Sequence, residues 1–157
     1  MLRKLTKTLL LSFAVMMAVS LASIESNAME VTVANPTNSN ILVDGQKVEF
    51  EAYNINGENY FKLRDLAFVL NGTPKQFAVD YDSKNDAILL SSGKPYKPVG
   101  GELSKGQGGS RTPSNVASRL CKDGRQFYLT SYKIGGNNFF KLRDIAEVFD
   151  IGVTWDG

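Results

Sequence analysis

Residues 59–67 read NYFKLRDLA, and residues 138–146 read NFFKLRDIA. The likeness extends on both sides: at an offset of 79 residues, positions 44–70 and 123–149 share 13 identities in 27 positions without a gap. Such a density of identities indicates two copies of one structural unit. We therefore expect a tandem duplication, with copy 1 built around the first phrase and copy 2 around the second.

Both copies show the same order of local signals. In copy 1, Asp44-Gly45 and Asn56-Gly57 separate short runs of alternating apolar and polar residues, and such pairs form tight hairpin turns because glycine accepts a positive φ. After residue 62, apolar residues recur every three or four positions, which predicts a short amphipathic helix. A helix of about two to three turns is not stable alone, so it must lie against the sheet.

The N-terminal 28 residues are typical of an export signal. Arg3, Lys4 and Lys7 form a basic start, an apolar run follows, and Ser26-Asn27-Ala28 offers small residues for cleavage. We therefore predict a signal peptide at 1–28 and a secreted or cell-surface protein with no membrane span after cleavage. The remaining chain has 15 basic and 15 acidic residues, so it lacks the basic surplus expected of a nucleic-acid binder.

Composition divides the mature chain into two units and a connector. We predict unit 1 at 29–100, a linker rich in Gly, Ser and Pro at 101–117, and unit 2 at 118–157. In unit 2 nothing corresponds to the apolar run at 87–90, so it is predicted to lack a final strand. Either the chain is a fragment, or unit 2 has an open sheet edge that something else must cover.

Residues suited to catalysis or metal binding are scarce. The chain has no histidine, so the usual general base and transition-metal ligand is missing. The acidic run 80–86 lacks the glycine and glutamate of a calcium loop, and we interpret it as a polar turn. The lone Cys121 lies at an apolar strand position and is interpreted as a small hydrophobic residue. We predict no enzyme activity, no metal and no cofactor.

The recurring charged phrase admits a functional or an architectural interpretation. We favour the second, because an aspartate in the first turn complements the helix dipole and an arginine can tie the helix to a neighbouring segment. Duplicated scaffolds also share what the fold needs. The predicted structural motif comprises Phe61, Lys62, Leu63, Arg64, Asp65, Phe140, Lys141, Leu142, Arg143 and Asp144.

Aromatic residues are the best candidates for a ligand surface. Neighbours on a strand point to opposite faces, so Tyr60 and Phe61 cannot enter one core together, and one ring of each such pair is a candidate for exposure. Exposed rings stack on sugars, although they also cover sheets or contact neighbouring units. The candidate ligand-facing aromatics are Tyr60, Phe139, Tyr81 and Trp155.

These motifs resemble a known family. Val-Asp-Gly at 43–45, Ala-Tyr-Asn-Ile-Asn-Gly at 52–57, the phrase at 59–67 and Val-Asp-Tyr-Asp at 79–82 are similar to the copper amine oxidase N-terminal domain-like, or stalk, modules of exported bacterial proteins. The resemblance implies an α+β fold of two small tandem units, each an antiparallel β-sheet curled around one short α-helix. It carries over no catalytic or copper-binding residue.

The resemblance implies a non-enzymatic surface or cell-wall-associated module that acts as a spacer, display or adhesion unit. Two alternatives stay open: a module that binds cell-wall glycan through exposed aromatics, and the non-catalytic N-terminal part of a larger secreted enzyme. Candidate partners are accordingly wall glycan or other envelope proteins.

Overall fold

The computed structural model describes residues 32–37 and 41–154. The predicted signal peptide and Trp155 lie outside the described residues. The chain first forms β1 (Asn35–Pro36), β2 (Ile41–Val43), β3 (Gln46–Val48), β4 (Ala52–Ile55), β5 (Glu58–Lys62), α1 (Leu63–Val69), β6 (Phe77–Asp82) and β7 (Ala87–Ser92). It continues with β8 (Ser114–Lys122), β9 (Arg125–Ile134), β10 (Asn137–Lys141) and α2 (Leu142–Phe149).

The predicted turns and helices are confirmed in both copies. Asp44 and Asn56 have φ values of 49° and 52°, and each is followed by a glycine at positive φ, as two-residue hairpin turns require. Helices α1 and α2 begin at the two equivalent leucines of the repeated phrase. Within the described residues, neither helix has the length or the apolar content to cross a bilayer.

The prediction of two separate α+β units is wrong. Strands make up 46% of the structure and helices 12%, so the chain is mostly β. Eight strands from both copies form one sheet in the order β1-β4-β5-β10-β9-β8-β7-β6, and β2 and β3 form a small sheet of two strands. Two separate sheets would each leave an apolar edge strand unpaired, whereas one sheet pairs them with each other.

The two copies meet at their repeated phrases. Strands β5 and β10 pair in antiparallel register with Phe61 opposite Phe140, and these two phenylalanines are equivalent in the repeat. On either side of this pair, Tyr60 faces Lys141 and Lys62 faces Phe139, so the register is unchanged when the two copies are exchanged, as in the self-complementary contact of a two-fold dimer. Each copy therefore contributes the strand at the start of its repeated phrase to one junction.

The sheet is covered on both faces where β5 and β10 pair. Phe61 and Phe140 belong to a core that also contains Leu66 of α1 and Ile145 of α2, so the helices pack on that face. The residues on the other face form a second core comprising Ala34, Tyr53, Ile55, Tyr60, Tyr132, Ile134 and Phe139. The alternation in β5 and β10 thus sends successive aromatic rings into two different cores.

The remaining hairpin of copy 1 extends the sheet beyond copy 2. Strands β6 and β7 pair with each other, and β7 then pairs in parallel with β8. The last residues of the predicted linker 101–117 form the start of β8. Earlier in the linker, Arg111 and Ala34 exchange two backbone hydrogen bonds. The open edge expected for unit 2 is therefore occupied at β8 by the hairpin of copy 1.

Candidate functional site

An open groove of about 610 Å³ lies where the turn between β6 and β7 meets the first half of β8. Strand β8 pairs with β7 only from Leu120 onward, so its earlier residues extend past the end of the hairpin. The groove is lined by Tyr81, Asn85, Asp86, Val116, Ala117, Ser118, Arg119, Tyr128, Lys133 and Asn138. It combines two exposed aromatic rings with amide, hydroxyl and charged groups.

The hairpin turn positions the first half of the groove. The Asp82 carboxylate accepts hydrogen bonds from the backbone amides of Lys84 and Asn85 at 3.0 and 3.2 Å and from the Asn85 side chain at 2.7 Å. These hydrogen bonds, that from the Asn85 side chain above all, lower the pKa of Asp82. The turn therefore keeps a fixed shape, and its polar atoms are held in place before any ligand arrives.

Tyr81 contributes the first exposed ring. Its side chain is 53% exposed, and its hydroxyl donates a hydrogen bond of 2.5 Å to Asp86 Oδ1. This hydrogen bond raises the pKa of Tyr81, because the neutral phenol is the form that can donate to the carboxylate. The ring is thereby held by its polar tip, while most of its apolar surface is left to solvent.

Tyr128 contributes the second ring and is held by Arg119. Tyr128 is 55% exposed, and its hydroxyl accepts hydrogen bonds from Arg119 Nε and Gln126 Nε2, both at 3.2 Å. The Arg119 guanidinium lies 5.9 Å from the Tyr128 ring centroid and donates from Nη1 to the Asn85 carbonyl at 3.0 Å. Arg119 therefore joins the hairpin turn to the neighbouring strands.

The four predicted ligand-facing aromatics are placed differently by the structure. Tyr81 lines the groove. The prediction that Tyr60 and Phe139 face a ligand is wrong. They are 8% and 0% exposed and lie in the core on the face opposite the helices. Their rings pack edge-to-face, Tyr60 on Tyr132 and Phe139 on Tyr53. Trp155 is outside the described residues.

Arg119 and Tyr128 were not among the predicted site residues. The position of Tyr128 corresponds to Glu49 in copy 1, so a search guided by the repeat passes over it. The signal that identifies it is the alternation in β9, where the half-buried Phe127 and Leu129 flank it and pack against the helix-side core. A tyrosine on the outward positions of such a strand is predicted to be exposed.

The charged residues of the repeated phrase form no common site. In copy 1, Lys62 is buried and lies 2.8 Å from Glu51 Oε2 and 3.5 Å from Asp65 Oδ2. Burial raises the pKa of Asp65, while the Leu103 amide, which donates to Oδ1 at 3.1 Å, and Lys62 oppose the rise. Asp65 therefore fixes the segment that follows β7 onto α1.

Copy 2 uses the same residue types for a different contact. Lys141 pairs at 2.8 Å with Glu58 of β5, an ion pair that spans the junction between copies. Arg64 and Arg143 are both exposed. Leu63 is buried in the helix-side core, and its equivalent Leu142 packs against that core. The residues of the phrase thus serve packing and ion pairing, and they are spread over both faces of the sheet instead of lining one cavity.

The groove contains one aspartate, one arginine and one lysine. Across residues 32–37 and 41–154, no three histidine, cysteine, aspartate or glutamate side chains come close enough to hold a metal ion. The groove thus contains two aromatic rings together with hydrogen-bond donors and acceptors.

No family model matches the chain, and neither a curated protein nor a solved structure is significantly similar to it. The resemblance to stalk modules therefore stays a prediction.

Proposed function

We propose that this protein is an exported, non-enzymatic adhesion module of the bacterial envelope that binds cell-wall glycan in the groove between the β6–β7 turn and β8. The observation that carries the proposal is the pair of tyrosines, Tyr81 and Tyr128, each more than half exposed and each held by a hydrogen bond at its hydroxyl. Rings held in this way present apolar faces that lose little conformational entropy on binding.

The polar groups around the rings suit a sugar chain. A glycan offers apolar ring faces together with many hydroxyl groups, and the groove offers amide, hydroxyl, carboxylate and guanidinium groups beside its two rings. Arg119 and Lys133 outnumber the single Asp86, which favours a glycan that carries carboxylate groups. The site lies on strands and a tight turn, which position side chains better than a long loop does.

The test is a binding isotherm of the purified protein on insoluble bacterial cell wall. We expect saturable binding that is lost when Tyr81 and Tyr128 are both replaced by alanine, and that falls after the wall glycan is digested with a muramidase. The matched control is Phe68→Ala, which removes an aromatic side chain 39% exposed on α1 and away from the groove. Full binding by the double variant, or binding that resists glycan digestion, would contradict the proposal.

A spacer or display role is supported by a separate observation. The two copies share one sheet through β5 and β10, so no flexible joint separates them. A rigid module of this kind holds whatever is fused to it at a fixed distance and orientation. Spin labels placed on β4 and β9 should give one narrow distance distribution by pulsed electron paramagnetic resonance; a broad distribution would argue against this role.

A further inference from the structure

The contact between β7 and β8 is specified by an aspartate in a hairpin turn. Leu90 lies beside Lys122 in parallel register, and the Leu90 carbonyl accepts a hydrogen bond of 3.0 Å from the Asp123 amide. The Asp123 carboxylate accepts two hydrogen bonds from Ser92, one from the backbone amide at 2.9 Å and one from the hydroxyl at 2.7 Å. These two hydrogen bonds from Ser92 are the main cause that lowers the pKa of Asp123 to about 2.

Copy 1 contains the same acceptor. At the repeat offset, Asp44 is equivalent to Asp123, and β2 is equivalent to the last three residues of β8. Asp44 and Asp123 also share their backbone conformation, with φ values of 49° and 50°. Ile41 packs against the helix-side core, to which Leu120 also belongs. We call β2 together with Asp44 the acceptor edge.

The acceptor edge has no occupant in the part of the chain that the structure describes. Strand β2 pairs only with β3, and Asp44 makes no side-chain hydrogen bond or ion pair among those residues. The two copies differ in burial as an empty site predicts. Leu42 is 62% exposed where its equivalent Cys121 is half-buried, and Ile41 is half-buried where Leu120 is fully buried.

We infer that the acceptor edge binds a β-hairpin of the β6–β7 type supplied by another polypeptide. The second strand of that hairpin runs parallel to β2 and ends with a serine or threonine that donates to the Asp44 carboxylate. Its apolar side chains take the positions relative to β2 that Ile88 and Leu90 of β7 take relative to β8. Strand addition of this kind gains affinity from backbone hydrogen bonds and specificity from alternate side chains. An exposed apolar edge strand is the surface on which it occurs.

Among the described residues, no second hairpin is left to fill the acceptor edge. The described residues hold two acceptors, β2 and β8, but one hairpin of the required type, and β8 already holds it. An exchange of hairpins between two copies of this chain fills one acceptor by emptying another, so it gains no contact. A partner built from the same repeat has a hairpin to donate, which makes the acceptor edge a surface for joining such modules.

The test tethers a synthetic hairpin to the edge of the full-length protein through a disulfide. The probe is a peptide with the sequence of residues 75–94 and cysteine in place of Leu89, because Leu89 lies beside Cys121 in copy 2 and its counterpart in copy 1 is Leu42. The protein carries Leu42→Cys, with Cys121→Ser to leave a single thiol. The matched control carries cysteine at Val99, which is 63% exposed against 62% for Leu42.

Under reversible exchange with a small thiol, we expect the disulfide at position 42 to exceed that at position 99 about ten-fold, because a bound peptide raises the local thiol concentration. Replacing Ser92 by alanine in the peptide should remove most of this excess without any change to the protein. Asp44→Gly should also remove most of the excess, because the carboxylate is lost while glycine keeps the positive φ of the turn. The control Asp150→Gly, at a similar φ of 51°, should leave the excess unchanged. Equal tethering at positions 42 and 99 would overturn the inference, and so would an excess that survives both changes. The groove residues are untouched, so failure here is distinct from failure of glycan binding.

Discussion

Replacing Phe140 by alanine should lower the unfolding free energy of both copies of the repeat, although the residue belongs to copy 2. Phe140 is fully buried, with 0% exposure, in the helix-side core. It lies directly opposite Phe61 where β10 of copy 2 meets β5 of copy 1. Its removal therefore leaves a cavity that residues of both copies line.

The magnitude follows from burial. Truncation of a fully buried phenylalanine to alanine typically costs about 3–5 kcal/mol, from lost transfer free energy and from the cavity that remains. For a structured region of this size, that loss corresponds to a fall in Tm of roughly 10–20 °C. Total stabilities of domains are about 5–15 kcal/mol, so the variant keeps only part of its stability.

The assay combines urea unfolding, followed by circular dichroism, with hydrogen–deuterium exchange read in two peptides. One peptide covers β4 of copy 1 and the other covers β9 of copy 2. We expect a single transition and an equal loss of protection in both peptides, because one sheet unfolds as one cooperative unit. Phe68→Ala, at 39% exposure on α1, is the matched control and should cost about 1 kcal/mol.

Two results would refute this reasoning. One is a pair of separate unfolding transitions, of which the substitution shifts only one. The other is a loss of protection confined to β9, with β4 unchanged. Either result would mean that the copies are independent domains and that the β5–β10 junction contributes little to stability.

Three further predictions concern charge and backbone. Lys62→Met should lower the free energy of unfolding in urea by about 3–5 kcal/mol, because two carboxylates near the buried ammonium lose their partner. Lys141→Met should lower it by about 1 kcal/mol or less, since that ion pair is partly exposed. Equal costs would contradict the difference in burial between the two lysines. Hydrogen bonds, that from a tyrosine hydroxyl above all, lower the pKa of Glu102 to about 2, so its contribution to stability is present above about pH 4.5 and is lost as the pH falls toward 2. Glu102→Gln should accordingly flatten the pH dependence of unfolding in that range, and an unchanged acid slope would count against these hydrogen bonds. Gly57→Ala should cost about 1–2 kcal/mol because its φ is 84°, while Gly152→Ala, which has open space around it and no positive φ, should be near neutral in thermal melts.

Local structure was predictable from the sequence because local signals decide it. Asp44-Gly45 and Asn56-Gly57 adopt the turns that their residue types favour, and the helices begin where the apolar period changes. The pairing of strands was not predictable in this way. A duplicated phrase fits two separate sheets as well as one shared sheet, and only the long-range contact between Phe61 and Phe140 distinguishes them.

The candidate site was predictable only in part. Alternation correctly assigned Tyr60 and Phe61 to opposite faces, but it does not report whether a face is covered. At these two residues both faces are covered. Tyr81 was named because it is an aromatic residue of a predicted strand. Tyr128 and Arg119 join it only through the parallel contact of β7 with β8, which brings together residues far apart in the chain.

The central claim is that the two copies share one sheet through their repeated phrases. The most direct measurement is the set of cross-strand nuclear Overhauser effects between residues 60–62 and residues 139–141 in the labelled protein. The structure predicts contacts in antiparallel register, with Phe61 opposite Phe140 and Tyr60 opposite Lys141. A folded protein in which these contacts are missing, while those of β4 with β5 and of β9 with β10 are present, would contradict the shared sheet.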